Sequence, residues 1–429
     1  MRGIKVRKSV HIEQPSILEE AFVMSVAYVS RKKNVLLETV QFGGQRDFYF
    51  RANNLTNPRE TAVPSQIRRS EDNGRTWATV EEWQGIIVKE GFQRELRWEP
   101  FFLMNPATGT LMRLYLMCED LVNVLPWEPE SPRARTYRTW TQLSRDGGRT
   151  WGEPKAIVIG GQGCDEVNWA PGIRYGTNAG LVEGTVPVVL PDGRFLLPFC
   201  RIIPAGERMH PRCDNECAAL IGRWRSDDTG VDWDLTSYAR VEPPNSGCGG
   251  VEASLAILPD GRLLMLMRVV VHREEGKIVP PGQRYFVTSD DLGRTWSRPE
   301  ALRYGDGGDL YNPATLGHVF RSAKNGRYYF ISNMYDQPVW ASDPRWPLQI
   351  AELDPETLRI RRDTVTVIET RNEAEGQPET IRFSNWARYE DRETGNLILL
   401  MTGCPGNVGR HETCGVPPHN FRYEIELPG

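Results

Sequence analysis

The chain has 429 residues, 39 % hydrophobic and 25 % charged, with a formal net charge of -4. That balance gives no general attraction to nucleic acid or anionic lipid, so neither is an expected partner. No apolar run is long enough to cross a bilayer as a helix, the opening MRGIKVRKSVHIEQP has no signal-peptide core, and eight scattered cysteines are too sparse for a disulfide framework.

The expectation is a soluble chain whose compartment and oligomeric state the sequence leaves open. Cys213 with Cys217, or Cys404 with Cys414, could pair in an oxidising compartment. His210, Cys213 and Cys217 match no common zinc spacing, so no metal is expected, and no other cofactor.

Forty Gly and 31 Pro favour many short strands joined by tight turns. The first predicted hairpin is VAYVSRKKNVLLETV, followed by the turn SEDNGRTW at Ser70 to Trp77. Next come FFLMNPATGTLMRLYLM and SRDGGRTW at Ser144 to Trp151, then VPVVLPDGRFLLPFC and a weaker copy, SDDTGVDW, at Ser226 to Trp233. LAILPDGRLLMLMR is followed by SDDLGRTW at Ser289 to Trp296. VFRSAKNGRYYFISN is followed by LQIAELDPETLRI, which takes the same place without the motif, and ARYEDRETGNLILLM by FRYEIEL alone. Asn-Gly and Pro-Asp-Gly are strong hairpin signals, and the Ser/Asp turns combine side-chain acceptors for turn amides, a Gly for φ > 0 and a Trp plug.

The turns recur at separations of 74, 82 and 63 residues, which means one supersecondary unit per repeat. Six such units predict an all-β fold: one six-bladed β-propeller of four-stranded antiparallel blades spanning residues 1–429. The blades fall near 18–84, 95–160, 166–240, 247–303, 308–368 and 380–429. The sixth lacks its outer strand, and the N-terminal strand 3–13 is expected to supply it and close the ring.

Strand parity puts both short turns of each unit on one face and the long loops on the other. The start of each first strand should then open onto the axis on the long-loop face. Those positions hold Glu99, Glu183, Glu252 and Asn385, with Asn312 in a similar place and Tyr311 beside it. Arg201 and Arg268 end the second strands of two consecutive units. Converging carboxylates and guanidiniums suit glycoside chemistry: one carboxylate as nucleophile or charge stabiliser, another as general acid/base, and arginine forks on a substrate carboxylate.

The repeated Ser-x-Asp-x-Gly-x-Thr-Trp turns resemble the Asp boxes of the sialidase superfamily. The resemblance implies a six-bladed propeller whose boxes lie away from the active site. The stretch GVEASLAILPDGRLLMLMR is similar to the family segment that joins a glutamate to the second arginine of its triad, and implies those roles for Glu252 and Arg268. The family's early Arg-Ile-Pro signature is absent, leaving Arg46 and Arg51 as positional candidates. Where its nucleophilic Tyr is expected the chain reads FSNWARYE, with Tyr389 four residues past Asn385. The pattern is sialidase-like without being that of a strict sialidase.

The expected function is a glycan-active enzyme on an oligosaccharide or polysaccharide, an exo-glycoside hydrolase releasing a terminal sugar, with an acidic sugar among its candidates. Glu252 is assigned the nucleophile or charge-stabilising role, Glu183 the general acid/base role and Glu99 the reserve carboxylate. Arg268, Arg201, Asn312, Asn385, Tyr311 and His272 are assigned to substrate. Exo-arabinanases similarly place two catalytic glutamates on consecutive units, and Glu183 and Glu252 lie 69 residues apart. Two alternatives stay open: a propeller lyase acting on a uronate with a His or Tyr base, for which His210, His272, His318 and Tyr311 qualify by type, and a non-catalytic carbohydrate-binding propeller.

Overall fold

A computed structural model of the chain describes residues 3–14, 21–42, 64–84, 86–88, 94–120, 136–161, 163–174, 179–182, 186–202, 215–242, 244–246, 249–269, 271, 280–404 and 416–429. They form six antiparallel sheets, the blades of a six-bladed β-propeller. The chain divides into two compact units: Met1–Leu18, Cys213–Ala219 and Thr236–Gly429, and Glu19–Arg212 with Leu220–Leu235.

The second unit holds blade one (Ala21–Tyr28, Leu36–Phe42, Pro64–Ser70, Ala78–Gln84) and blade two (Arg94–Met104, Leu111–Asp120, Thr136–Ser144, Lys155–Ala156). Most of blade three belongs with them: Ala179–Val182, Phe195–Ile202, Asn215–Trp224 and Val231–Leu235. The first unit holds blade four (Gly250–Ile257, Leu263–Val269, Tyr285–Ser289, Glu300–Ala301) and blade five (His318–Arg321, Tyr328–Ser332, Leu348–Asp354, Arg359–Ile360). Blade six has Ala387–Glu390, Leu397–Thr402 and Asn420–Glu426 from the C-terminal end. Its fourth strand is Lys5–Ile12, paired antiparallel with Asn420–Glu426, so the leftover N-terminal strand completes the ring's last blade.

Edge strands alternate, as Val231–Leu235 does with buried Val231 and Trp233 between exposed aspartates. Central strands such as Leu397–Thr402 are buried throughout, because neighbouring blades cover both faces. Between blades one and two, Leu37 and Ile67 pack on Phe102 and Leu111. Between blades four and five, Leu264, Leu266 and Phe286 pack on Val319 and Phe330. Truncating one of these to Ala is expected to cost about 2–5 kcal/mol.

The Ser/Asp turns are staples. Ser70 Oγ donates to Asp72 (2.8 Å) and accepts the Gly74 amide (2.8 Å), while Asp72 accepts the amide and hydroxyl of Thr76 (2.8 and 2.7 Å). Asp146 and Asp291 repeat the arrangement in blades two and four. In the second copy Gly148 has φ +85, and a Cβ there would stand 2.6 Å from Leu37 Cδ1, so both backbone and space demand glycine. The degenerate copy works differently. Asp228 accepts bonds from Asn105 Nδ2 (2.9 Å) and Thr108 Oγ1 (3.0 Å) in the hairpin of blade two, and Asp227 caps Thr229 in its place.

Candidate functional site

The first strand of blade four bulges between Val251 and Ser254, and Glu252 stands in the bulge with φ +43, a left-handed backbone that a non-glycine residue adopts at a cost. Blade two has the same irregularity between Trp98 and Phe101, so Glu99 occupies the matching backbone position, as its place before the hairpin implied. Asn385, with φ +63, stands just before the first strand of blade six. Bulges re-aim side chains, and the repeated device explains how a pleated strand turns one polar residue out of its alternation.

Gly249 and Gly250 lead into the bulge. Their room is used by the chain: a Cβ on Gly249 would meet the Asn215 carbonyl oxygen at 1.9 Å, and one on Gly250 would meet Cys217 Sγ at 3.1 Å.

Arg268 lies across the sheet, paired in register with Val251, and its guanidinium forms an ion pair with Glu252 Oε1. The Glu252 side chain is walled by protein yet 37 % exposed, whereas Arg268 is 16 % exposed, so the carboxylate faces open space and the arginine stands behind it.

Two further arginines act on Glu252. Arg284, just before the third strand of blade four, is 1 % exposed; it donates through Nη2 to the Thr315 carbonyl, while Nε and Nη1 have no partner among the described residues. Burial, with the Arg268 charge beside it, lowers its pKa to about 9 against the pull of Glu252. Arg345, before the third strand of blade five, donates to the Ser342 carbonyl (2.8 Å) and to Ser384 Oγ (2.9 Å). Burial, Arg268 and Arg382 lower its pKa to about 10. Arg382 is itself forked onto Asp343 at 2.9 and 2.6 Å, which ties the leading loop of blade six to the loop that carries Arg345.

Burial pushes the Glu252 carboxyl up, but the charge and hydrogen bond of Arg268, then Arg345 and Arg284, outweigh it and hold the pKa below the ordinary value. Glu252 is therefore ionised at neutral pH. It fits a nucleophile or charge stabiliser and not a proton donor. Among the described residues, Arg268, Arg284 and Arg345 act on Glu252, while Asp343, which also acts on Arg345, is forked by Arg382.

The other sequence candidates separate. Asn312 is 1 % exposed and donates through Nδ2 to the Asn333 carbonyl at 2.7 Å, so it stands behind the surface as scaffold, not in an open pocket as expected. The Tyr311 hydroxyl donates to Asp309 at 3.1 Å, and its pKa is raised by burial and by that carboxylate, which disfavours it as a base. His318, weighed as a base by residue type, is 5 % exposed against Trp386. Tyr389 is buried within its strand and hydrogen-bonds Arg422. Arg201 belongs to the other compact unit, paired with Gly180 and laid over Gly172. Glu183, His272, His210, Cys213, Cys414, Arg46 and Arg51 lie outside the described residues. Arg284 and Arg345 precede third strands, where strand parity alone marks no axis-facing position.

The sequence matches the BNR repeat-like domain over residues 67–375. No curated protein matches by sequence. Among solved structures, a protein of unknown function from Dyadobacter fermentans DSM 18053 aligns over 100 % of both chains at 16 % identity with a TM-score of 0.58. The intramolecular trans-sialidase from Ruminococcus gnavus, solved with oseltamivir carboxylate, aligns over 95 % of this chain and 94 % of its own at 12 % identity and TM-score 0.55. An α-L-arabinofuranosidase from Fusarium graminearum, solved with an iminosugar inhibitor, aligns over 98 % of both chains at 13 % identity and TM-score 0.51. At these identities the likeness is one of fold.

Proposed function

We propose, from the premise that this chain belongs to the BNR repeat-like domain family, that it is a glycan-active enzyme: an exo-glycoside hydrolase that releases a terminal sugar bearing a carboxylate. The observation that carries the reading is the convergence of Arg268, Arg284 and Arg345 on Glu252. Buried guanidiniums are costly unless paired, and an anionic substrate group supplies a further counterion on binding. Glu252, already ionised, is the nucleophile or the stabiliser of positive charge developing at the anomeric carbon. Glu183 is proposed as general acid/base and Glu99 as the reserve carboxylate, with Arg201, Asn385, Tyr311 and His272 as further substrate contacts. Neighbours of like fold that act on sialic-acid glycans or arabinofuranosides support the class.

The test is a screen of aryl glycosides of acidic and neutral sugars beside uronate polysaccharides. Release of a reducing acidic monosaccharide supports the proposal. An unsaturated uronate indicates elimination instead, and binding without turnover a carbohydrate-binding propeller.

A further inference from the structure

Arg345 is held in place by two of its nitrogens. Nε donates to the Ser342 carbonyl (2.8 Å) and Nη1 to Ser384 Oγ (2.9 Å), while Nη2 makes no hydrogen bond among the described residues. The backbone around it is pinned to the leading loop of blade six. Arg345 and Arg382 form a parallel bridge, and the Phe383 amide donates to the Arg345 carbonyl at 2.9 Å. Arg382 is fixed in turn by a reciprocal pair of backbone bonds with Cys404 (2.7 and 3.0 Å), just past the second strand of blade six.

A carboxylate stands two residues from Arg345. Asp343 acts on the Arg345 charge, yet no ion pair joins the two among the described residues. Both of its oxygens are taken by Arg382 instead, Oδ1 by Nε at 2.9 Å and Oδ2 by Nη2 at 2.6 Å. A fork of this kind fixes the plane of the carboxylate as well as its distance. The Arg382 side chain is 18 % exposed and that of Asp343 48 %, so the arginine is set in the wall and the aspartate reaches out from it. Without the fork, Arg345 is the one cation on its own loop, residues 333–347, for Asp343 to pair with.

We propose that Arg382 is a positioning residue: by forking Asp343 it keeps that carboxylate off Arg345 and leaves the Arg345 guanidinium to an incoming substrate carboxylate. The inference rests on the reading of Glu252 and its arginines as a site for an acidic sugar. A carboxylate tethered two residues away competes at high effective concentration, and a substrate would have to displace it. Arg382 acts through Asp343 and touches no reacting atom, so its loss weakens binding and spares the chemistry at Glu252.

The experiment measures steady-state kinetics on an aryl glycoside of a carboxylate-bearing sugar for wild type, Arg382→Met, Asp343→Asn and the double variant, each shown folded by circular dichroism. The crystal structure of Arg382→Met is determined beside them. In Arg382→Met, KM is expected to rise about 10-fold with kcat changed less than about 2-fold, and Asp343 to lie at hydrogen-bond distance from Arg345. Adding Asp343→Asn should bring KM back to within about 3-fold of wild type, because a neutral amide no longer competes for the guanidinium. A fork that only braces the loops leaves the double variant as impaired as Arg382→Met, and that result overturns the proposal. So does an Arg382→Met crystal in which Asp343 stays off Arg345. If Arg382→Met does not fold, Asp343→Asn decides: with the neighbouring negative charge gone KM should fall about 3-fold, and a rise overturns the proposal. Absence of wild-type turnover on acidic glycosides defeats the glycosidase reading instead, and the crystal still decides whether Arg382 keeps Asp343 off Arg345.

Discussion

Glu252 and Arg268 form an ion pair across the first two strands of blade four, with Glu252 in a left-handed bulge and Arg268 in register with the residue before it. The bulge turns the carboxylate outward; the register fixes its counterion. Substituting Glu252→Gln keeps the shape and removes the charge, so kcat should fall at least about 100-fold with the fold retained. Steady-state kinetics beside a circular dichroism spectrum check this.

Arg284 offers a sharper separation of stability from function. The residue is 1 % exposed, with two of its nitrogens unpartnered among the described residues, an arrangement the folded protein sustains at a cost. Arg284→Met should leave the protein equally stable or more stable, by up to about 1–4 kcal/mol. It should also weaken binding of an acidic substrate by about 10–100-fold, the worth of a charge-assisted hydrogen bond. Thermal scans and KM together test it; a loss of stability without a change in KM would mark Arg284 as a structural residue only.

The Ser/Asp staples predict an acid transition. Hydrogen bonds from Thr76 and Ser70 lower the Asp72 pKa to about 2, and those from Thr295 and Ser289 do the same for Asp291. Asp146 is lowered further, chiefly by its bonds from Thr150. A carboxylate whose folded pKa lies below its unfolded value of about 3.9 contributes stability that is complete above that value and lost as pH falls through the folded one. The Tm gap between wild type and Asp72→Asn should therefore be constant above about pH 5 and narrow between about pH 4 and pH 2. Correctly folded Asp72→Asn should keep its chemistry.

The N-terminal strand is fastened by more than its ladder. Tyr423 donates to Glu369 at 2.7 Å, and Lys8 pairs with the same carboxylate while lying 4.2 Å from the Phe421 ring centre. Tyr423→Phe should cost about 1 kcal/mol by denaturant titration. Removing residues 3–12 uncovers the Asn420–Glu426 edge and should turn a monodisperse protein into one that self-associates, as read by light scattering.

Blade number, hairpin positions and the ring-closing strand were legible in the sequence, because turn chemistry and period-two patterning are local signals written six times over. The strand positions of Glu252 and Arg268 were legible too, near the start of one strand and the end of the next, since strand parity and the hairpin Gly fix where each strand begins and ends. Asn312 was misjudged because its position resembles that of Glu252, while its backbone amide bonds the Gly282 carbonyl and its side chain turns to Asn333. Arg284 and Arg345 were invisible because their role depends on loops crossing between blades: Ala341 bonds Val271 and Ala314, and Gly282 bonds Val339, contacts that no local pattern encodes. Asp228 likewise kept the motif's letter and changed its partner, from its own turn to the preceding blade's hairpin.

The proposed reaction centre for an acidic sugar is Glu252 with its three arginines. Its most direct test is kcat/KM on matched aryl glycosides of a carboxylate-bearing sugar and of its neutral analogue, for wild type, Glu252→Gln and Arg345→Met. Wild type is expected to prefer the acidic sugar, Arg345→Met to lose most of that preference, and Glu252→Gln to be nearly inactive on both. Full activity of a folded Glu252→Gln variant, or equal turnover of the two sugars by wild type, would contradict it.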